Sequence, residues 1–264
     1  MGDFRDKTVW ITGASSGIGE ALTYALNKEG ATVLISSRKK EALEQVKDKC
    51  SQADKVHIFP LDLEKESELI SIAGKALEKF PKIDVLINNG GISQRSLVKE
   101  TDMEVYRKLM EVNYFGTVAL TKEVLPGMIR NQQGQIVVIS SLMGKFSSQL
   151  RSGYAAAKHA LHGFFESLRL EHVDDNIKVL MVCPGFIKTN ISYNSVTKDG
   201  SKHNEMDDAQ EAGLSPEECA LKIMAAMKRG KEEVYIGGKE IGALYLKRFF
   251  PKMLTRILKN RKVT

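Results

Sequence analysis

The chain has 264 residues, 42% hydrophobic and 27% charged, proportions that suit a soluble globular fold and exclude a disordered chain or a collagen-like fibre. Its formal net charge is +6, but residues 241–264 hold seven bases and no acid, so that stretch carries +7 and the other 240 residues −1. The body is therefore not a basic nucleic-acid-binding surface, and no nucleic-acid partner is expected.

Short β-branched apolar runs alternate with longer amphipathic ones along the chain. The runs at 7–12, 31–36, 55–60, 84–88, 134–140, 177–183 and 232–236 read as strands. Helix-length segments lie near 17–29, 39–51, 64–80, 102–131, 151–174 and 215–229. Strands that are apolar throughout are buried on both faces, and the alternation is that of right-handed βαβ units. The expected fold is α/β: one doubly wound parallel sheet of seven strands over residues 1–240, with no linker or internal repeat to divide it. Residues 190–214 are polar and aperiodic, as in a lid or a disordered loop. They stop at Ser215-Pro216-Glu217-Glu218, which announces a helix with Ser at its N-cap, Pro at N1 and Glu at N3. The opening residues enter a strand at once, which leaves no room for a signal peptide. Asp6 stands where myristoylation of Gly2 would need Ser or Thr. No run reaches the roughly 18 apolar residues of a membrane span. Cys50, Cys183 and Cys219 are too few and too widely spaced for a disulfide scaffold or a zinc ribbon, so the expected address is cytoplasmic.

The first strand runs into Thr12-Gly13-Ala14-Ser15-Ser16-Gly17-Ile18-Gly19 and then a helix. Glycine lets such a turn approach a pyrophosphate, and the helix N-terminus offers the anion free N–H groups. The second strand ends Ser36-Ser37-Arg38-Lys39-Lys40, without the carboxylate that holds a ribose 2′-hydroxyl in many NAD sites. Arg38 suits a 2′-phosphate instead, which favours NADP(H) over NAD(H). Asp62 and Leu63 follow the third strand, at the adenine edge, and Asn88-Asn89-Gly90-Gly91 ends the fourth at the carboxyl edge where ligands bind.

Tyr154 and Lys158 stand four apart on a helical run and share one face. Tyr24/Lys28 and Tyr235/Lys239 have the same spacing, but only Tyr154 has a serine, Ser141, thirteen residues upstream at the end of a strand. A phenol of pKa about 10 is a poor acid–base catalyst at neutral pH, and a neighbouring Lys158 ammonium would favour its ionised form. Ser141 would orient a substrate oxygen. Met143 and Phe146 follow the serine as pocket-lining or core residues. His159 and His162 share a helix but lack a third ligand at a recognisable spacing, so no metal is expected.

As a set, TGASSGIG, NNGG, Asn113 in EVNYFG, Ser141, YAAAK and PGFIKT resemble the short-chain dehydrogenase/reductase family over about residues 7–189. The downstream stretch and tail look most like its dehydrogenase/reductase member-seven branch. The resemblance implies a Rossmann fold and an NAD(P) cofactor. It also implies a tetrad in which Tyr154 is the acid–base, Lys158 lowers its pKa and binds the ribose, Ser141 positions the carbonyl, and Asn113 holds a water leading to Lys158. Cofactor contacts at Gly13, Ser15, Ser16, Gly17, Ile18, Gly19, Asn89, Gly90, Ile187 and Thr189 carry over too, with Phe186 beside the substrate. Gly90 replaces the usual Ala, and Ser16 stands where many NADP enzymes have a base. The branch implies a lipophilic small-molecule carbonyl substrate, and the family a homodimer or homotetramer packed through the helices at 102–131 and 151–174. A 3-oxoacyl-thioester reductase, an NAD-dependent hydroxysteroid-type dehydrogenase and a non-catalytic, membrane-associated NADP-binding scaffold are the other readings.

The tail at 241–264 is amphipathic. Leu246, Phe249, Phe250, Met253, Leu254, Ile257 and Leu258 share half a helical wheel, with the bases opposite and Pro251 splitting the run into two helices. Such a face suits peripheral contact with an anionic membrane, or packing on the protein's own body or a neighbouring subunit.

Overall fold

The computed structural model describes residues 3–260. In chain order the main elements are β1 (Thr8–Thr12), α1 (Gly17–Lys28), β2 (Thr32–Ser36), α2 (Lys40–Asp48), β3 (Val56–Ile58), α3 (Glu66–Lys79), β4 (Val85–Asn88), α4 (Met103–Met110) and α5 (Gly116–Arg130). They continue with β5 (Gly134–Ile139), α6 (Ser152–Glu171), β6 (Ile177–Pro184), α7 (Asp208–Glu211), α8 (Pro216–Lys228), β7 (Glu233–Ile236), α9 (Gly242–Phe249) and α10 (Pro251–Asn260). All seven strands are parallel, in the order β3-β2-β1-β4-β5-β6-β7. The order reverses between β1 and β4, and a doubly wound sheet opens its ligand crevice at that point.

Continuous apolar strands bury both sheet faces because each alternate side chain finds a helix. On one face Val9, Ile11, Val33 and Ile35 pack with Leu22 and Leu26 of α1 and Ile223 and Met227 of α8. On the other, Trp10, Leu34, Leu86 and Ile136 pack with Leu120 and Val124 of α5 and Leu161 and Phe165 of α6. Trp10 is fully buried, and its indole N–H donates to Ser36 Oγ at 2.9 Å. The Ser215 signal forms a complete capping box: Glu218 N–H donates to Ser215 Oγ, and Ser215 N–H to Glu218 Oε2, each at 3.1 Å. Such a box stabilises a helix by about 1 kcal/mol.

Three expectations change in detail. The third strand, read as 55–60, spans only Val56–Ile58: Ala53–Lys55 form a 3-10 turn before it, and Pro60, with no N–H to give a ladder, lies just beyond it. The run at 102–131 is two helices joined by a π-helical turn at Glu111–Phe115. That wider turn is where Asn113 sits, and π-turns gather at functional sites because they redirect one side chain. The polar stretch 190–214 is docked rather than loose: Ser192, Ser195, Val196, Asp207 and Gln210 are buried. Backbone bridges tie Val196 to Gln94 and Leu214 to Ile187.

The tail forms two helices with Pro251 opening the second, as expected. Its apolar half-circle is divided between two environments. Leu254 is buried with Leu142, Phe146 and Cys183, and Leu246 and Leu258 pack beside them. Phe249, Phe250 and Met253 remain 66%, 62% and 53% exposed. Arg261 and Lys262, counted in the tail's charge, lie outside the described residues. Among the described residues no helix is long and apolar enough to cross a membrane.

Candidate active site

A cleft of about 810 Å³ opens at the carboxyl ends of the strands. Every residue expected to bind cofactor, substrate or proton lines it except Gly19. Gly19 lies behind the loop, where a Cβ would come within 2.6 Å of Asn89 Nδ2, so its smallness serves packing rather than contact.

The β1–α1 turn is built to approach an anion closely. Gly13 (φ +64°) and Gly17 (φ +59°) adopt the left-handed conformation that side chains disfavour. A Cβ on Gly13 would lie 2.8 Å from Gly90 Cα, and one on Gly17 would lie 2.9 Å from Thr189 Cγ2. Asn89 braces the turn by donating to the carbonyls of Thr12 and Gly13, both at 3.0 Å. Thr12 Oγ1 in return accepts from the N–H groups of Asn89 and Gly90. The N-cap of α1, Ser16, makes no side-chain capping bond, which leaves its first-turn amides for a bound anion. These features fit a dinucleotide pyrophosphate. At the far end of the cleft Arg38 is exposed, lines the wall with Lys39, and has no ion-pair partner among the described residues. Asp62 accepts from Glu64 N–H at 3.1 Å, which holds it at the same rim beside the buried Leu63.

The chemistry lies at the other end. Ser141 leaves β5 and caps a 3-10 turn, its Oγ accepting from Met143 N–H at 3.1 Å. The Ser141 hydroxyl also bonds the Tyr154 phenol. Tyr154 and Lys158 are both buried on α6, with Lys158 Nζ 5.8 Å from the Tyr154 ring centre and donating to the Ile139 carbonyl at 2.8 Å. Asn113 is fully buried; its Oδ1 accepts from Ile92 N–H and its Nδ2 donates to the carbonyls of Ile92 and Leu109. It thus stitches the π-turn to the loop leaving β4, beside Gly91, where a Cβ would come within 2.5 Å of Asn113 Oδ1 and 3.6 Å of Lys158 Nζ.

The electrostatics of the pair differ from expectation. The sequence implies that the Lys158 cation, together with a positive nicotinamide ring, draws the phenol's pKa down. Instead burial dominates both groups: it pushes Lys158 down to about 8 and Tyr154 above the usual phenol value. Charge in a poorly solvated site is costly, so each group is driven toward its neutral form. What pulls Tyr154 back is the Ser141 hydrogen bond, then the guanidinium groups of Arg151 and Arg95.

Those two arginines were missed, because each lies in an unremarkable loop stretch and they meet only in the fold. Asp207 and Gln210, in the polar segment 190–214, were missed for the same reason. Gln210 Nε2 donates to the Ile187 carbonyl and sits 3.5 Å from Thr189 Oγ1, so it pins the PGFIKT loop. Glu240 accepts from Phe186 N–H at 3.1 Å and Gly238 N–H at 3.0 Å.

His162 meets Cys183 and Glu233 behind Ser140, with one ligand atom from each within 4.8 Å of the others. Neighbouring groups already engage two of these three residues. Lys145 Nζ lies 2.8 Å from Glu233 Oε1, and His162 Nε2 is bonded to Ser140 Oγ at 3.0 Å. His159 is exposed on the same helix, with its Nδ1 2.8 Å from the Ala155 carbonyl.

The model of short chain dehydrogenases matches residues 7–200, which is most of the chain. The chain belongs to the short-chain dehydrogenase family. Among its relatives, the dehydrogenase/reductase SDR family member 7B of Bos taurus is 40% identical over 97% of this chain and 82% of its own length. A short-chain dehydrogenase from Streptomyces avermitilis has the same fold, with a TM-score of 0.81 and 28% identity over 96% of each chain. Another, from Burkholderia cenocepacia and solved in complex with NADP, gives a TM-score of 0.79 and 26% identity over 98% of this chain and 100% of its own. The seven-stranded Rossmann-like sheet and an oxidoreductase chemistry dependent on a nicotinamide cofactor follow from membership.

Proposed function

We propose that this short-chain dehydrogenase uses NADPH to reduce a lipophilic ketone or aldehyde to an alcohol. The observation that carries the reading is the cleft itself: Ser141, Tyr154 and Lys158 at one end, and Arg38 and Lys39, with no carboxylate closing β2, at the other. A 2′-phosphate fits that pair of bases, and a ribose diol would leave them without a ligand charge. When bound, the nicotinamide supplies a hydride to the carbonyl carbon.

The chain's residues do the rest. Ser141 Oγ donates to the substrate oxygen and fixes its position. Tyr154 Oη delivers a proton to that oxygen as negative charge grows on it. Burial keeps the phenol protonated at rest, the form that can give a proton during reduction. Lys158, with its pKa near 8, exchanges its proton readily at physiological pH and can replace the one that Tyr154 gives up. In this scheme Asn113 holds the water between Lys158 and solvent. Apolar lining from Met143, Phe186, Ala243 and Leu258 supports a lipophilic substrate.

The tail supports a peripheral position on the cytoplasmic face of an anionic membrane. Its outward side combines exposed Tyr245, Phe249, Phe250, Met253 and Ile257 with the exposed bases Lys247, Arg248, Lys252, Arg256 and Lys259. Charge complementarity with acidic headgroups accounts for that pairing, at about 1 kcal/mol per base near the surface. Ala243 and Leu258 of the same helices line the cleft, so docking would bring the pocket mouth close to lipid. A homodimer through α5 and α6 completes the reading, supported by the half-exposed Phe115 beside the Tyr114–Phe164 ring pair. Sedimentation showing only monomer at micromolar concentration would contradict it.

The deciding experiment for the activity is NADPH and NADH oxidation by purified protein over a panel of ketones, aldehydes, steroids and 3-oxoacyl thioesters. Turnover of an apolar carbonyl with NADPH supports the proposal. Turnover confined to thioesters, or faster with NADH, would replace it, and no oxidation with any member would favour a non-catalytic scaffold.

A further inference from the structure

Three chain segments distant in sequence meet beside the catalytic tyrosine through one carboxylate. Asp207, the residue before α7, is almost fully buried. Its Oδ1 accepts from Arg95 Nε at 3.2 Å, and its Oδ2 accepts from Nη2 of both Arg95 and Arg151, the latter at 2.8 Å. Arg95 comes from the loop leaving β4 and is fixed further by bonds to Ser93 Oγ at 3.0 Å and the Gln94 carbonyl at 2.6 Å. Arg151 is the residue immediately before α6, three positions ahead of Tyr154, and also reaches Ser148 Oγ at 3.4 Å.

The backbone supports the same meeting point. Leu150 holds φ +65°, a left-handed conformation costly for a branched apolar residue. Its carbonyl is held by Ser96 N–H at 3.1 Å. Gln94 Oε1 accepts from the N–H groups of Gly153 and Tyr154 at 2.7 and 3.3 Å, tying the first turn of α6 to the same loop. A strained turn kept next to a reacting group is best explained by what it positions, here Arg151.

We propose that Arg95 and Arg151, bridged by Asp207, are positioning residues that stabilise the ionised oxygen of Tyr154 and couple that stabilisation to the docking of segment 190–214. Breaking a buried carboxylate bridge between two guanidinium groups leaves like charges facing each other, so segment and charge arrangement hold or fail together. The groups facing Tyr154 are Lys158 from α6, Arg151 just before that helix, Arg95 from the β4 loop, Ser141 after β5 and Cys183 of β6, with Asp207 of segment 190–214 on the two arginines. Cys183 is kept as a neutral thiol by burial, and burial also biases Lys158 toward its neutral form. Burial and repulsion from Arg95 lower Arg151 to about 10, so it stays charged at neutral pH.

The proposal builds on the acid–base role given to Tyr154, but its test needs no substrate. Protein carrying tyrosine labelled with carbon-13 at Cζ is titrated by NMR, and the Tyr154 resonance is identified by its loss in Tyr154→Phe. Where the midpoint lies above the folded range, the ionised fraction at about pH 10.5 is compared instead. Arg95→Met and Arg151→Met should raise the midpoint by about one unit, and Asp207→Asn, which leaves the two guanidinium groups unbridged, should raise it as well. Arg151→Lys, which keeps the charge, should stay close to wild type. Amide exchange across 190–214 should quicken in Arg95→Met and Asp207→Asn, while exchange in β1 and β4 reports that each variant is folded. A purely structural bridge would loosen the segment without moving the phenol. Midpoints unchanged in the Arg→Met and Asp207→Asn variants, or an Arg151→Lys midpoint raised as far as that of Arg151→Met, would overturn the proposal. If the shifts are found in an enzyme that reduces nothing, the proposed reaction fails and the bridge stands.

Discussion

Lys158 offers the most quantitative check on the electrostatics. In the folded protein burial holds its pKa near 8, against 10.5 for an ordinary lysine side chain. Between those values the unfolded chain still binds a proton that the native state has released, so stability must rise with pH. The full span is worth about 3 kcal/mol at 1.36 kcal/mol per unit, and the part between pH 7 and 9.5 about 2 kcal/mol. Lys158→Met removes the titrating group while keeping the length of the side chain. It also deletes the 2.8 Å hydrogen bond to the Ile139 carbonyl, at a cost of about 1–3 kcal/mol. That cost belongs to the neutral amine as well as the ammonium and changes little with pH. Tyr154, whose pKa is raised, loses stability only above about pH 10, and it is present in both proteins, so the difference between them isolates the lysine. Urea unfolding of cofactor-free protein at pH 7 and 9.5 should show wild type gaining about 2 kcal/mol on the variant as pH rises. A relative change under about 0.5 kcal/mol would mean that the ammonium is solvated in the native state, and the burial argument for both groups of the pair would fail.

Tyr154→Phe should leave NADPH binding, read by fluorescence titration, near wild type and lower turnover about 10²–10⁴-fold; retention of half the wild-type kcat would remove the phenol from the chemistry. Arg38→Asp should shift the ratio of kcat/KM values from NADPH toward NADH by removing the cation that faces the 2′-phosphate and adding a charge that repels it. An unchanged ratio would make Arg38 a surface charge only. Full-length protein should co-sediment with vesicles rich in phosphatidylserine, less so at high salt, and weakly with neutral ones. Phe249→Ser/Phe250→Ser should weaken that binding without loss of fold, since both rings are exposed. Equal, salt-insensitive partitioning of the two proteins would leave the tail as a packing element.

The fold was legible in the sequence because its signals are local. Alternating apolar runs, the glycine turn after β1 and the Ser215 capping box each act over a few residues, and the structure returns all of them in register. The cleft residues were legible for a related reason: the motifs sit at strand ends, and a doubly wound sheet gathers strand ends along one edge. The π-turn carrying Asn113 was hidden, because one extra residue per turn leaves the helical pattern almost unchanged. The division of the tail was hidden too, since a helical wheel shows that a face is apolar and not what covers each part of it.

The deeper omission concerns charge. Sequence placed Lys158 one turn from Tyr154, and that proximity, with the positive nicotinamide ring, argued for a lowered phenol. Only the tertiary structure shows both groups buried, so that desolvation outweighs the pair's attraction and pushes each toward neutrality. Arg95, Arg151 and Asp207 lie up to 112 residues apart, in stretches that carry no motif. Their meeting depends on where the β4 loop, the start of α6 and segment 190–214 come to rest. Spacing along a chain records which side chains one element can present, whereas the field at a buried oxygen depends on every charge that the other elements bring to it.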